Sequence, residues 1–183
     1  MGRKESRIHR WASHSLGIIF FALSSQYLIS SPIDHHQERF EDVALKIWEY
    51  AELGYLEEKS SSLLQQELKD SGFTIQSGVA GIPTAFIAEF NNGGPIIGIL
   101  GEFDALPGLA QQNVPLKTAE GLNSANGHAC GHHLFGAASA WAVVAIKEWL
   151  EESNTPGTIR FYGTPAEEGG SGKVYIARDG YFD

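Results

Sequence analysis

The sequence predicts an α/β fold. Three observations point to it: apolar, β-rich segments at 84–90 (TAFIAEF), 95–101 (PIIGILG) and 157–163 (GTIRFYG); a nearly chargeless stretch between the last two; and an amphipathic helical pattern upstream. At 183 residues the chain can bury one ordinary core, and one domain is expected after the N-terminal segment.

That segment, residues 1–32, carries Arg3, Lys4, Arg7 and Arg10 against Glu5, a local charge of +3. An apolar run follows from Leu16 to Leu23, and no Asp, Glu, Lys or Arg occurs between Trp11 and Ile33. A basic start before a short apolar stretch is the layout of a signal peptide or an uncleaved anchor. Export to the periplasm or the outside, or membrane anchoring, is therefore expected, with a cytoplasmic extension as the alternative. The formal charge of −9 leaves −12 for the rest once this +3 is set aside. Such an acidic body argues against nucleic-acid binding, which needs Lys and Arg to neutralise phosphates. Cations are its natural partners.

From Gln37 to Leu53, Phe40, Val43, Ala44, Ile47, Trp48 and Ala51 fall on one helical stripe, with Gly54 as the stop. A second helix is expected over about 57–71, with Leu63, Leu64 and Leu68 inward and Gly72 closing it. The strands at 84–90 and 95–101 are separated by Asn91-Asn92-Gly93-Gly94, strong turn chemistry that predicts adjacency. The second strand is apolar up to Leu100, as in a central strand covered on both faces. It leads into GEFDALPGL, and ligands gather beyond the carboxyl ends of such strands. Residues 105–127 form a loop long enough to imply a functional reason. The helix over Leu134–Ile146 is apolar or small on every face, and Gly136 and its alanines would let it lie close on a sheet.

Three constellations can carry chemistry. The stretch NGHACGHHLFG holds the only cysteine and three of the seven histidines. With Gly131 between them in extended backbone, Cys130 and His132 would point the same way, and thiolate plus imidazole suits zinc, with manganese, nickel or cobalt less predictable. A helix N-terminus would also lower the thiol's pKa. The plain alternative is an inert core cysteine. In GTPAEEGGSGK, Glu167 and Glu168 are expected in irregular or extended structure, pointing in opposite directions. One can then bind a metal while the other acts as general base, and the alternative is a solvated acidic turn. In EFDALP, period-two alternation places Glu102 and Asp104 on one side and Phe103 on the other. Asp104 either orients a ligand histidine or caps a turn. His128 and His133 read as ordinary hydrogen-bonded histidines.

GEFDALPG, NGHACGHHLFG and GTPAEEGGSGKVY, in this order, resemble the dinuclear-metal amidohydrolases related to aminoacylase and carboxypeptidase, in the branch that holds p-aminobenzoyl-glutamate and indole-acetyl-amino-acid hydrolases. The resemblance implies that Cys130, His132 and Glu168 are metal ligands, that Glu167 is the base activating a water, and that Asp104 is the orienting aspartate. It implies a three-layer α/β sandwich around a mostly parallel sheet, a truncated form of a zinc-peptidase-like catalytic domain. Residues 33–183 would be the N-terminal half of that domain, with the dimerisation domain and the C-terminal half lying beyond it.

The implied cofactor is a divalent metal, zinc or manganese, with two ions in the complete enzyme. The implied substrate is a small N-acyl or N-aroyl amino acid. Homo-oligomerisation, or a partner that supplies the missing half, is the expected association. Two other readings compete. One is an inactive relative or a partner-completed metal-binding module. The other is a thiol hydrolase with Cys130 as nucleophile, which leaves the Glu pair unexplained.

Overall fold

The computed structural model describes residues 33–116 and 125–183. Residues 1–32, where the export segment is expected, and 117–124 of the long loop lie outside the described residues. The chain is α/β. It runs α1 (Gln37–Tyr50), α2 (Glu58–Asp70), β1 (Thr74–Ser77), β2 (Phe86–Asn91), β3 (Ile96–Gly101), α3 (His132–Glu152), β4 (Thr158–Gly163), a single turn α4 (Glu167–Gly170) and α5 (Gly172–Arg178).

The strand order is β1-β2-β4-β3, with β3–β4 parallel and the other two pairings antiparallel, so the described sheet is mixed. The strands β2 and β3 are therefore not neighbours, contrary to the turn-based expectation. Thr158 of β4 is opposite both Asn91 and Ile96, so β4 enters between them. The Asn91–Gly94 turn accordingly bridges two inter-strand spacings of about 4.8 Å each. It closes around the incoming chain: Asn92 N–H donates to Gly157 O at 3.1 Å and Thr158 N–H to Pro95 O at 2.9 Å. Nor is β3 covered on both faces. It is an edge of the described sheet, with Ile96 and Ile97 more than half exposed. The short, polar β1 carries no alternation that a sequence pattern could reveal.

Helices α1, α2 and α3 cover one face. Phe40, Val43, Ile47, Leu64 and Leu68 pack with Ala140, Val143 and Val144 of α3 onto Phe86, Ile159 and Phe161 of the sheet. Burying each such large side chain contributes roughly 1.5–3 kcal/mol. The helix α1 stops at Ala51 (φ 42°), short of the expected Leu53, because Leu53 is drawn into a bridge with Ala105. A thinner layer covers the other face, where Val79, Ile82 and Ile176 of α5 meet Ile87 and Tyr162. The close approach expected of α3 rests on Gly136: a Cβ there would lie 2.6 Å from the carbonyl oxygen of Glu102. This contact sets the start of α3 against the end of β3.

Candidate active site

The site lies where β3, α3 and the chain after β4 meet. Past the end of β3, alternation sends Phe103 into the core, where it is 0% exposed and 6.3 Å from Phe86 between ring centres. Glu102 and Asp104 face the other way, toward His132, the first residue of α3.

His132 is held from both sides of its ring. Nδ1 lies 2.9 Å from Asp104 Oδ1, and Nε2 lies 2.9 Å from Glu102 Oε2. Glu167 Oε2 stands on the Nε2 side at 3.9 Å, and Glu168 Oε1 on the Nδ1 side at 3.8 Å. The other Asp104 oxygen accepts the backbone N–H of Glu168 at 2.8 Å. Lys173 Nζ is paired with the second oxygen of Glu102. Among the described residues, one group of three brings ligand atoms within 4.8 Å of one another: Glu102, His132 and Glu167.

The electrostatics follow from this crowding. The hydrogen bond to Asp104 raises the His132 pKa against the opposing effect of burial, and Glu102 and Glu168 add to it. Burial alone would raise the Asp104 carboxyl, but the His132 hydrogen bond and the Glu168 N–H together hold it below its ordinary value. Burial lowers His128, and lowers His133 to about 4.

The sequence-predicted residues are brought together unevenly. Asp104, Glu167 and Glu168 gather around His132, and Asp104 holds the imidazole. The backbone at Cys130 departs from expectation. Gly131 is left-handed (φ 80°) rather than extended, so Cys130 and His132 do not project in parallel, and Cys130 is exposed. Its thiol is also pushed up rather than down, chiefly by the neighbouring Glu168 carboxylate, with desolvation and the charges of Glu167 and Asp104 adding to it. Here acidic neighbours outweigh the helix terminus. Glu167 and Glu168 lie in a helical turn rather than extended chain, yet they still diverge around the imidazole, because Ala166 before them is left-handed (φ 57°) and Gly169 breaks the turn.

Glu102 is the residue whose part sequence reasoning understates. Its place beyond β3 is legible, but its contact with Nε2 is not. Glu57 gives no signal at all, since a Glu at a helix start looks like a solvated cap.

At this strand end of the mixed sheet a histidine is wedged among four carboxylates, and three of these five residues form a donor set able to hold a cation. Residues 98–183 match the model of peptidase family M20/M25/M40. The chain is 44% identical over 155 residues to one component of the p-aminobenzoyl-glutamate hydrolase of Escherichia coli, covering 85% of this chain and 32% of that protein. It is 32% identical over 167 residues to the Xaa-Arg dipeptidase of Homo sapiens, covering 82% and 34%. The Bacillus subtilis YXEP structure, described as a dinuclear metal binding peptidase of family M20, superposes with a TM-score of 0.68 at 25% identity, over 82% of this chain and 41% of that one. The chain thus spans about a third of the length of the relatives it matches.

Proposed function

We propose that this chain supplies the catalytic centre of a metal-dependent amidohydrolase that cleaves the amide of N-acyl or N-aroyl amino acids. One observation carries the reading: His132 has Asp104 on Nδ1 and carboxylates on Nε2, beside a Glu168 Oε1 that is buried with no hydrogen-bond partner. A buried carboxylate oxygen without a donor calls for a cation. The donor set of carboxylates, imidazole and a nearby thiol fits zinc or manganese. The names of the relatives, a p-aminobenzoyl-glutamate hydrolase and a dipeptidase, support an amide of an amino acid as substrate.

In this reading Cys130, His132 and Glu168 hold the ion and Glu167 is the base. When bound, the ion supplies Lewis-acid polarisation of the scissile carbonyl and makes a water easier to deprotonate. Asp104 would keep the proton on Nδ1, which leaves Nε2 as the ring nitrogen able to bind a cation. Glu167, 43% exposed at its side chain, takes a proton from the attacking water and returns it to the leaving amine. Lys173 offsets the charge of Glu102.

A second reading has its own observation. The ligand atoms of Glu102, His132 and Glu167 already converge, which makes Glu167 a ligand instead of the base. Two substitutions separate them. In the full-length enzyme, Glu167→Gln should abolish turnover while metal content stays near one equivalent per site, and Glu168→Gln should lose the metal. Loss of metal from Glu167→Gln with retention in Glu168→Gln would establish the second reading in place of the first.

Export is proposed on the basic-then-apolar layout of residues 1–32. Fusion of that segment to a reporter active only outside the cytoplasm tests it.

A further inference from the structure

We infer that Glu57, remote from His132 in sequence and absent from its contacts, is a positioning residue that sets the aim of the Glu167–Glu168 pair through the backbone of Ala166. The inference rests on the metal-dependent reading above.

The side chain of Glu57 is fully buried. It immediately precedes α2, yet makes no capping bond to that helix. Oε1 accepts the backbone N–H of Ala166 at 2.8 Å, and Oε2 accepts the hydroxyl of Thr84 at 3.1 Å. Thr84 is itself tied to α2, because its carbonyl accepts the Ser61 hydroxyl at 2.8 Å. One carboxylate thus joins three segments that are far apart in the chain. Burying a carboxylate is costly unless its oxygens are satisfied, and here the acceptors go to one backbone donor and one hydroxyl.

The backbone donor sits at the corner that aims the site. Ala166 adopts φ 57°, ψ 43°, a left-handed conformation that an alanine holds only when its surroundings impose it. Gly54 makes room for it, since a Cβ at that position would lie 3.0 Å from Ala166 Cα. The next two residues are Glu167 and Glu168. Asp104 secures the far side of the corner through the Glu168 N–H, and Glu57 secures the near side through the Ala166 N–H. Without Glu57, the corner loses its anchor at the Ala166 N–H, and the carboxylates can swing by the small displacement that ruins coordination.

The experiment is a Co2+ titration of the full chain, read by visible absorption and calorimetry, for wild type, Glu57→Gln, Glu57→Leu and Thr84→Val, with circular dichroism to check folding. The amide of Gln keeps an acceptor for Ala166, so Glu57→Gln should stay near wild-type affinity with the same spectrum. Glu57→Leu keeps the volume and removes the acceptor, and should weaken Co2+ binding about 10–100-fold with an altered band. A folded Glu57→Leu that binds like wild type, or a Gln variant as weak as the Leu variant, overturns the inference. If Glu57→Leu does not fold, Thr84→Val decides, because it frees the second oxygen while leaving the Ala166 bond. Binding weakened by about threefold or more supports positioning, and wild-type affinity overturns it. Absence of Co2+ binding by wild type instead refutes the metal-dependent reading itself.

Discussion

Asp104→Asn removes one charge and one acceptor while leaving the side chain's shape intact. In the wild type the two oxygens serve two donors, His132 Nδ1–H at 2.9 Å and Glu168 N–H at 2.8 Å. A carboxamide has a single acceptor oxygen, so in either orientation its NH2 faces one of these donors. Asp104 is 1% exposed, and no solvent can take over the lost bond. Leaving a buried donor unpaired costs about 1–3 kcal/mol, and the bonds lost were to a charged acceptor, so we expect a loss of about 2–3 kcal/mol in urea unfolding of the metal-free protein. The pH dependence has two limbs. Asp104 has a depressed pKa, so its contribution is present above its ordinary 3.8 and is lost as pH falls through the lower folded value. His132 has a raised pKa, so its contribution is present below its ordinary 6.5 and is lost as pH rises through the higher folded value. The difference between wild type and variant should therefore be greatest between about pH 4 and 6.5. Imidazole NMR supplies the second assay: the His132 pKa should fall, since Asp104 is the main reason it is raised. A loss below about 0.5 kcal/mol, in the range of neutral surface changes, together with an unmoved His132 titration, would refute the reasoning.

Other substitutions probe the frame of the site. Gly136→Ala puts a methyl group 2.6 Å from the Glu102 carbonyl, and the forced separation of α3 from β3 should cost about 1–3 kcal/mol in urea unfolding; wild-type stability would show that the contact is slack. Phe103→Ala empties a fully buried position beneath the two acids, and a loss of about 3–5 kcal/mol is expected by the same assay. Burial raises the Glu57 pKa, so its ionised form destabilises the fold as pH climbs from its ordinary 4.5 to the folded value. Glu57→Gln never ionises and should gain stability over wild type across that interval; a pH-independent difference would show that Glu57 is ionised at no cost.

How far the sequence discloses this arrangement depends on the range of the interaction. The helix at 37–50 is legible from its local apolar spacing and the middle of the one at 132–152 from being apolar or small on every face, and Phe103 opposite Glu102 and Asp104 follows from the strand period. The partner of β2 is not legible. Asn91–Gly94 has the chemistry of a tight turn, and nothing within it reveals that a strand from sixty residues later will lie between its arms. The thiol is misread for a related reason. A helix start is a local feature, whereas the carboxylates that raise Cys130 arrive from after β4. Glu57 is invisible because its role depends on Ala166, which is 109 positions away.

The interleaved order β2-β4-β3 also has a temporal consequence. A hairpin could zip as soon as its second arm leaves the ribosome. Here Ile96–Gly101 must wait, unpaired and apolar, until Thr158–Gly163 has been synthesised and threaded between two arms already made. Such high contact order slows folding and prolongs the nascent chain's exposure of sticky surface. Assembly of the sheet is therefore gated by the arrival of β4, the same strand that delivers the acidic pair to the histidine, so the cluster around His132 and the sheet must be completed together.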